Sequence, residues 1–146
     1  MLVDANLLLY ARNADDPRQR AAAAWLEEVL NGPARVGLPW SSLVAFARIA
    51  TNQRVFARPL TTADACAQIE AWLAAPAAWI PVPTERHAEI FTDLVRKHRV
   101  AGALIADADL AALAIEHGLE LASTDADFAR FGEIRWIDPI RERATE

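Results

Sequence analysis

A chain of 146 residues, 53% of them apolar and 24% charged, has the composition of one globular domain and not of a disordered segment. Its formal net charge of −5 argues against a protein that coats nucleic acid by counterion release alone, although acids gathered to hold a cation enter the same sum. Cys66 is the single cysteine, which excludes an intramolecular disulfide and a cysteine-based zinc site and makes the reduced cytoplasm the default compartment.

Met1-Leu2-Val3 reads as a short strand cut off at Asp4, and Asn6 to Arg12 as a short helix. No basic stretch precedes an apolar run here, which argues against a secretory leader. Asp15-Asp16-Pro17 restarts a helix that runs through Ala21–Leu30 and stops at Asn31-Gly32-Pro33. Its apolar run is far shorter than the ~20 residues of a membrane span, so no membrane association is expected. Arg35–Leu38 is a brief strand, and Pro39 with Ser41-Ser42 opens a helix through Ala50. Thr61-Thr62 opens the next helix, which ends near Pro76. Trp79–Val82 is a third strand, and Thr84-Glu85 caps a helix to about His98. Leu104–His117 is a helix closed by Gly118, Leu119–Ala122 a fourth strand, Thr124-Asp125 the start of a short helix to Phe131, and Arg135–Ile137 the last strand. Strands alternating with helices predict an α/β fold with a parallel sheet covered on both faces, in one domain spanning 1–146.

Ligands of open α/β sheets bind outside the carboxyl ends of the strands, which is where Asp4 falls. Two further acids stand at or just after an apolar element: Asp107 in Ala103-Leu104-Ile105-Ala106-Asp107-Ala108, and Asp125 after the fourth strand. If strands one and four are neighbours, Asp4 and Asp125 share one rim, and Asp107 enters the same crevice from the helix feeding strand four. Carboxylates brought together repel and need a cation, and an oxygen-only ligand set selects Mg2+ or Mn2+. Any one of these acids alone reads better as a helix cap. Asp109 reads as a solvated neighbour, whereas the Asp-x-Asp spacing of Asp125 and Asp127 suits two carboxylates near one ion.

Asp4-Ala5-Asn6 after an N-terminal strand, Ile105-Ala106-Asp107-Ala108 leading into Leu110–Ala114, and Ser123-Thr124-Asp125-Ala126-Asp127-Phe128 together resemble a PIN domain. More narrowly they are similar to the VapC-type toxins of bacterial toxin–antitoxin pairs, over nearly the whole chain. The resemblance implies a three-layer α/β sandwich with strand order 3-2-1-4-5 and a Mg2+- or Mn2+-dependent endoribonuclease. It also implies a homodimer neutralised by a cognate antitoxin in a heterotetramer or larger assembly. Asp4, Asp107 and Asp125 take the catalytic metal-binding places, Asp127 an optional fourth, and Asn6 the place that supports Asp4 by hydrogen bonding. One departure stands out: where the family carries a metal-site Glu on the third helix, Val44-Ala45-Phe46-Ala47-Arg48 has Ala45. Ser41 or Ser42 could supply an oxygen there; alternatively the protein is a weakened module that binds RNA or a partner without cutting. A phosphatase working through an aspartyl-phosphate would want an acid where Asn6 stands.

Arg12, Arg48 and Arg54 are candidate RNA contacts, although Ser41 and Ser42 read first as caps and Arg48 equally as an ion-pair partner. Arg96-Lys97-His98-Arg99 reads as a solvated helix end favoured by the dipole, in preference to an RNA contact. His87, His98 and His117 lack mutual ligand spacing, which assigns them to surfaces and helix ends.

Overall fold

Leu2 and Val3 are both fully buried but belong to different cores, because successive side chains of a strand point to opposite faces. Val3 joins Leu7, Leu8, Trp25, Leu26, Phe46 and Trp72 on one face; Leu2 joins Leu94, Leu110, Leu121, Phe128 and Phe131 on the other. Leu121 and Ala122 divide in the same way. A strand buried on both sides has to lie inside a three-layer sandwich.

The computed structural model describes the backbone of residues 1–143 and side chains through Arg141; residues 144–146 of the expected domain lie outside the described residues. In chain order the elements are β1 (Leu2–Val3), α1 (Ala5–Arg12), α2 (Gln19–Leu30), β2 (Val36–Gly37), α3 (Trp40–Ala50), α4 (Thr62–Leu73) and β3 (Ala78–Trp79). There follow α5 (His87–His98), α6 (Leu104–His117), β4 (Leu121–Ala122), a 3-10 turn (Ala126–Arg130), β5 (Trp136–Ile137) and α7 (Pro139–Arg143). All strand pairs are parallel, in the order β3-β2-β1-β4-β5. This is the sheet that the resemblance implied. Leu2 lies opposite Gly37 on one side and Leu121 on the other. A β-carbon at Gly37 would come within 3.1 Å of both Leu2 Cδ1 and Pro81 Cγ, so any larger residue would require those side chains to give by a few tenths of an ångström.

The strands are shorter than the sequence patterns suggest, each with two ladder residues. The chain leaves the ladder almost at once, at Asp4 into α1 and at Pro39 into α3. α4 ends at Leu73, before the expected stop near Pro76. The N-cap position of α5 is Arg86; Thr84, two residues earlier, accepts from Arg86 N at 3.2 Å through its hydroxyl, which also donates to Glu116 of α6 at 2.7 Å. α7 went unforeseen, although Asp138-Pro139 is a start signal: Asp138 Oδ1 accepts from the backbone of Ile140 and Arg141, each at 3.1 Å. Gly118 closes α6 at φ 63°, as expected of a left-handed helix stop.

A candidate metal centre at the rim of the sheet

From β1 the chain proceeds to β2 on one side, while β4 occupies the other, so the crevice beyond the carboxyl ends of β1 and β4 is the switch point of the sheet. Asp4 leaves β1 there in extended conformation, its backbone N–H donating to Ala122 O at 3.0 Å. Its Oδ1 accepts from Ala5 N at 2.7 Å, so Asp4 does cap α1, and its Oδ2 accepts from the Ser123 hydroxyl at 2.7 Å. One carboxylate thus caps α1 and ties it to Ser123.

Ser123 is the hub of the rim, with no exposed surface. Its hydroxyl gives its one proton to Asp4 and accepts from Asn6 Nδ2 at 2.9 Å and from the backbone N–H of Asp125 at 3.0 Å. Its main chain is held as firmly, since its carbonyl accepts from Trp136 Nε1 at 2.8 Å and its N–H donates to Ile137 O at 3.0 Å. Asn6 therefore reaches Asp4 through Ser123, a hydrogen-bonded link of two steps. Proton counting fixes the Asn6 amide, leaving its buried Oδ1 without a donor among the described residues.

Asp125 opens the 3-10 turn, its Oδ1 accepting from Asp127 N at 2.8 Å. Arg130 reaches back to Asp127 at 3.5 Å. Asp107 lies in the first turn of α6, where the helix dipole favours negative charge. Asp107, Asp125 and Asp127 each place one carboxylate oxygen within 4.8 Å of the others. Asp4 stands just outside this tight set, yet close enough for its charge to act on Asp107. Burial, reinforced by the charges of Asp125, Asp4 and Asp127 and opposed by Arg130, pushes the Asp107 carboxyl up to about 6. Burial also raises Asp4, with the Ser123 and Ala5 hydrogen bonds working against it.

This donor set fits a hard divalent cation. Opposite oxygens around Mg2+ lie ~4.2 Å apart at ~2.1 Å per bond, so a modest inward movement of the three carboxylates suffices. Asn6 Oδ1, in the Ser123 network, is a buried acceptor without a partner among the described residues.

Other expected residues fall elsewhere. Ser42 is buried and donates to Val3 O at 2.8 Å, so it supports the end of β1 and directs no oxygen at the acids by that bond. Ala45 is half-buried on α3; Arg12 and Arg48 are exposed at the ends of α1 and α3. Asp109, whose side chain stays 46% exposed, is more than a solvated neighbour: it accepts from His87 of α5 at 2.8 Å, and the other ring nitrogen meets Glu116 at 2.7 Å. The basic run is largely neutralised within the chain, Lys97 and His98 on Glu133 and Arg96 on Asp93. His117, at a helix end as expected, donates to Val82 O at 2.8 Å. Ser123 and Arg130 were overlooked as site residues. The signal for Ser123 was its place two residues before Asp125, the spacing of a hydroxyl-to-backbone turn.

A PIN-domain profile matches residues 1–134 of the chain. The chain is 44% identical over 142 residues to Ribonuclease VapC33 of Mycobacterium tuberculosis, covering 97% of this chain and 99% of that one. With Ribonuclease VapC37 of the same organism it shares 44% over 138 residues, 94% of this chain and 96% of that one. Among solved structures it superposes on Mycobacterium tuberculosis VapC20, a sarcin-ricin-loop-cleaving toxin, with TM-score 0.66 and 20% identity over 92% of this chain and 98% of that one. It also superposes on VapBC2 of Rickettsia felis bound to a promoter DNA fragment, with TM-score 0.65 and 16% identity over 93% of this chain and 96% of that one. The chain belongs to the PIN-domain family. Its near relatives within that family are VapC ribonucleases.

Proposed function

We propose that this protein is a divalent-metal-dependent endoribonuclease and the toxin of a toxin–antitoxin pair. The observation that carries the reading is the convergence of Asp107, Asp125 and Asp127 at the switch point, with Asp107 raised to about 6 by burial and by its acid neighbours. The VapC ribonuclease relatives support the substrate class. Asp4, Asp107 and Asp125 would hold Mg2+ or Mn2+, with Asp127 as a fourth ligand. A cation there supplies an activated water and offsets the charge that develops on the phosphodiester.

The chain's own residues set the geometry. Ser123 fixes Asp4 and the backbone of Asp125 relative to each other, so a single buried hydroxyl aligns ligands from β1 and from the turn after β4. Asn6 donates to the Ser123 hydroxyl and so supports that alignment. Arg130 holds Asp127, and Arg12 and Arg48 orient the RNA backbone. The partners are RNA, a second copy of the chain and a cognate antitoxin; the VapBC assemblies of similar fold from Rickettsia felis and Haemophilus influenzae support the antitoxin partner. The compartment is the cytoplasm; among the described residues no helix is long and apolar enough to cross a membrane.

Ala45 favours a second reading, because no carboxylate stands at that half-buried place on α3. On it the domain binds RNA or a partner without cutting. Incubating the antitoxin-free protein with a mixed RNA pool in Mg2+, Mn2+ or EDTA separates the two, with Asp4→Asn and Asp107→Asn alongside. Metal-dependent cutting lost in both variants supports the nuclease. Cutting that persists in both would overturn the site, and none by folded wild type under any metal would favour the binding module.

A further inference from the structure

A cavity of about 280 Å³ opens where the end of α1 meets the segment between α3 and α4. Its walls include the half-buried Leu9, Phe56 and Leu60, and its mouth carries Arg12, Asn13 and Arg58. Arg58 is ion-paired with exposed Asp15, whereas Arg12 has no partner among the described residues. An apolar slot with an aromatic ring and an uncommitted guanidinium at its mouth is complementary to a ligand with one planar apolar part and one anionic part.

Helix α1 links the two places: its cap Asp4 stands at the acid rim and its last residue, Arg12, lines the cavity. Asn6, in the Ser123 network, and Asn13, at the cavity, stand seven residues apart, two helical turns and hence one stripe. Between them Tyr10 turns its hydroxyl toward Thr124, the neighbour of Asp125, at 3.5 Å. Seven residues of helix rise ~10.5 Å, a span that one short single strand can bridge. Tyr10 itself offers no free ring face on the side that the Arg18 guanidinium covers, 3.6 Å from its centroid. Phe56 is the aromatic ring that lines the cavity.

We infer that this cavity is a nucleotide subsite, taking one base of a single-stranded RNA against Phe56 and Leu60 with the adjoining phosphate on Arg12. The subsite lies a few nucleotides from the bond at the acids and gives the enzyme a sequence preference that the acid cluster, which meets only phosphate, does not. The inference rests on the RNA-directed reading above but not on cutting.

The test is binding of 5′-AMP, GMP, CMP and UMP in EDTA, followed by amide and side-chain NMR shifts, with inorganic phosphate as control. At least one nucleotide is expected to bind with shifts at Phe56 and Leu60, more tightly than phosphate by fivefold or more. Phe56→Ala and Arg12→Gln should each weaken it at least fivefold; Phe56→Leu, which keeps the apolar filling but not the ring, guards against misfolding and should weaken it too. Nucleotides that bind no better than phosphate, or equally well to the Phe56 variants, overturn the subsite. So does loss of affinity for an antitoxin peptide with nucleotide binding unchanged, which would make the cavity an antitoxin pocket. Because no metal is present, failure of wild type to cleave RNA would defeat the nuclease reading and leave this result standing on its own.

Discussion

Asp107 and Asp109 stand two residues apart on α6 and meet opposite fates. A step of two turns the helix by about 200°, so one faces the crevice and the other faces α5. Asp107 is surrounded by acids, and its carboxyl rises to about 6. Asp109 meets the cation of a closed cross-brace: His87 bonds it with one ring nitrogen and Glu116 with the other, while Thr84 bonds Glu116 through its hydroxyl and its N–H. A neutral imidazole has one N–H, so two carboxylate partners call for the imidazolium. Burial pulls His87 down, but the hydrogen bonds to Asp109 and Glu116 outweigh it and the net shift is upward. The difference teaches how far the chain satisfies each of its two polar clusters. The brace is satisfied by the chain itself, while the rim holds like charges together and leaves an acceptor unpaired.

The largest break in this comparison comes from Asp107→Asn. Cleavage of RNA is expected to fall by about 100-fold or more, beyond the 10–100-fold typical of residues that only support metal ligands. Metal-free thermal stability should hold or rise, since a repelled charge is removed. A variant that loses stability together with activity would show that Asp107 is structural.

Ser123→Ala comes next. Leaving Asp4, Asn6 and the Asp125 N–H without their shared partner is expected to cost about 1–3 kcal/mol in denaturant unfolding. Mn2+ affinity measured by titration calorimetry should drop about 10–100-fold. Unchanged Mn2+ affinity would remove Ser123 from the site.

The brace is tested at His87. Its pKa is raised in the folded state, so its contribution is complete below the ordinary value of about 6.5 and disappears as pH rises through the higher folded value. His87→Ala should therefore cost about 1–3 kcal/mol at pH 6, with the gap to wild type narrowing toward pH 9. A gap constant with pH would mean that His87 acts by packing against Phe91 and not by charge.

Asp107 gives the same pH sign from a different cause. Its raised folded pKa means that the metal-free protein is penalised above about 6 and relieved as pH falls through that value. Melting temperatures of metal-free wild type should rise modestly from pH 7.5 to 5.5, a rise smaller in Asp107→Asn and reversed in sense by saturating Mn2+. The smallest effect belongs to the basic run: Arg96→Ala, which breaks an exposed pair with Asp93, should leave stability within about 0.5 kcal/mol and cleavage unchanged.

Much of the site was legible in the chain because each acid interrupts an apolar pattern. Asp4 follows a strand, Asp125 follows another, and Asp107 opens a helix, and local geometry then puts all three at one end of a parallel sheet. Ser123 was not legible in the same way: two of its partners, Asn6 and Asp4, lie 117 and 119 residues away. His87 was harder still. Its partners are 22 and 29 residues distant, and nothing local distinguishes it from a solvent-facing histidine.

The sequence by itself determined the alternation of strands and helices, the buried two-faced character of β1 and β4, and the acids at their carboxyl ends. These follow from side-chain period, helix start signals and the burial of apolar residues, which act over a few residues at a time. Tertiary structure decided which polar groups share a partner: that Asn6 reaches Asp4 only through Ser123, that Asp109 leaves the crevice for His87, and that Ser42 braces Val3. Hydrogen bonds of that kind form only once the sheet has closed. The chain fixes the groups available, and the packing of α5 and α6 around the sheet fixes which of them meet.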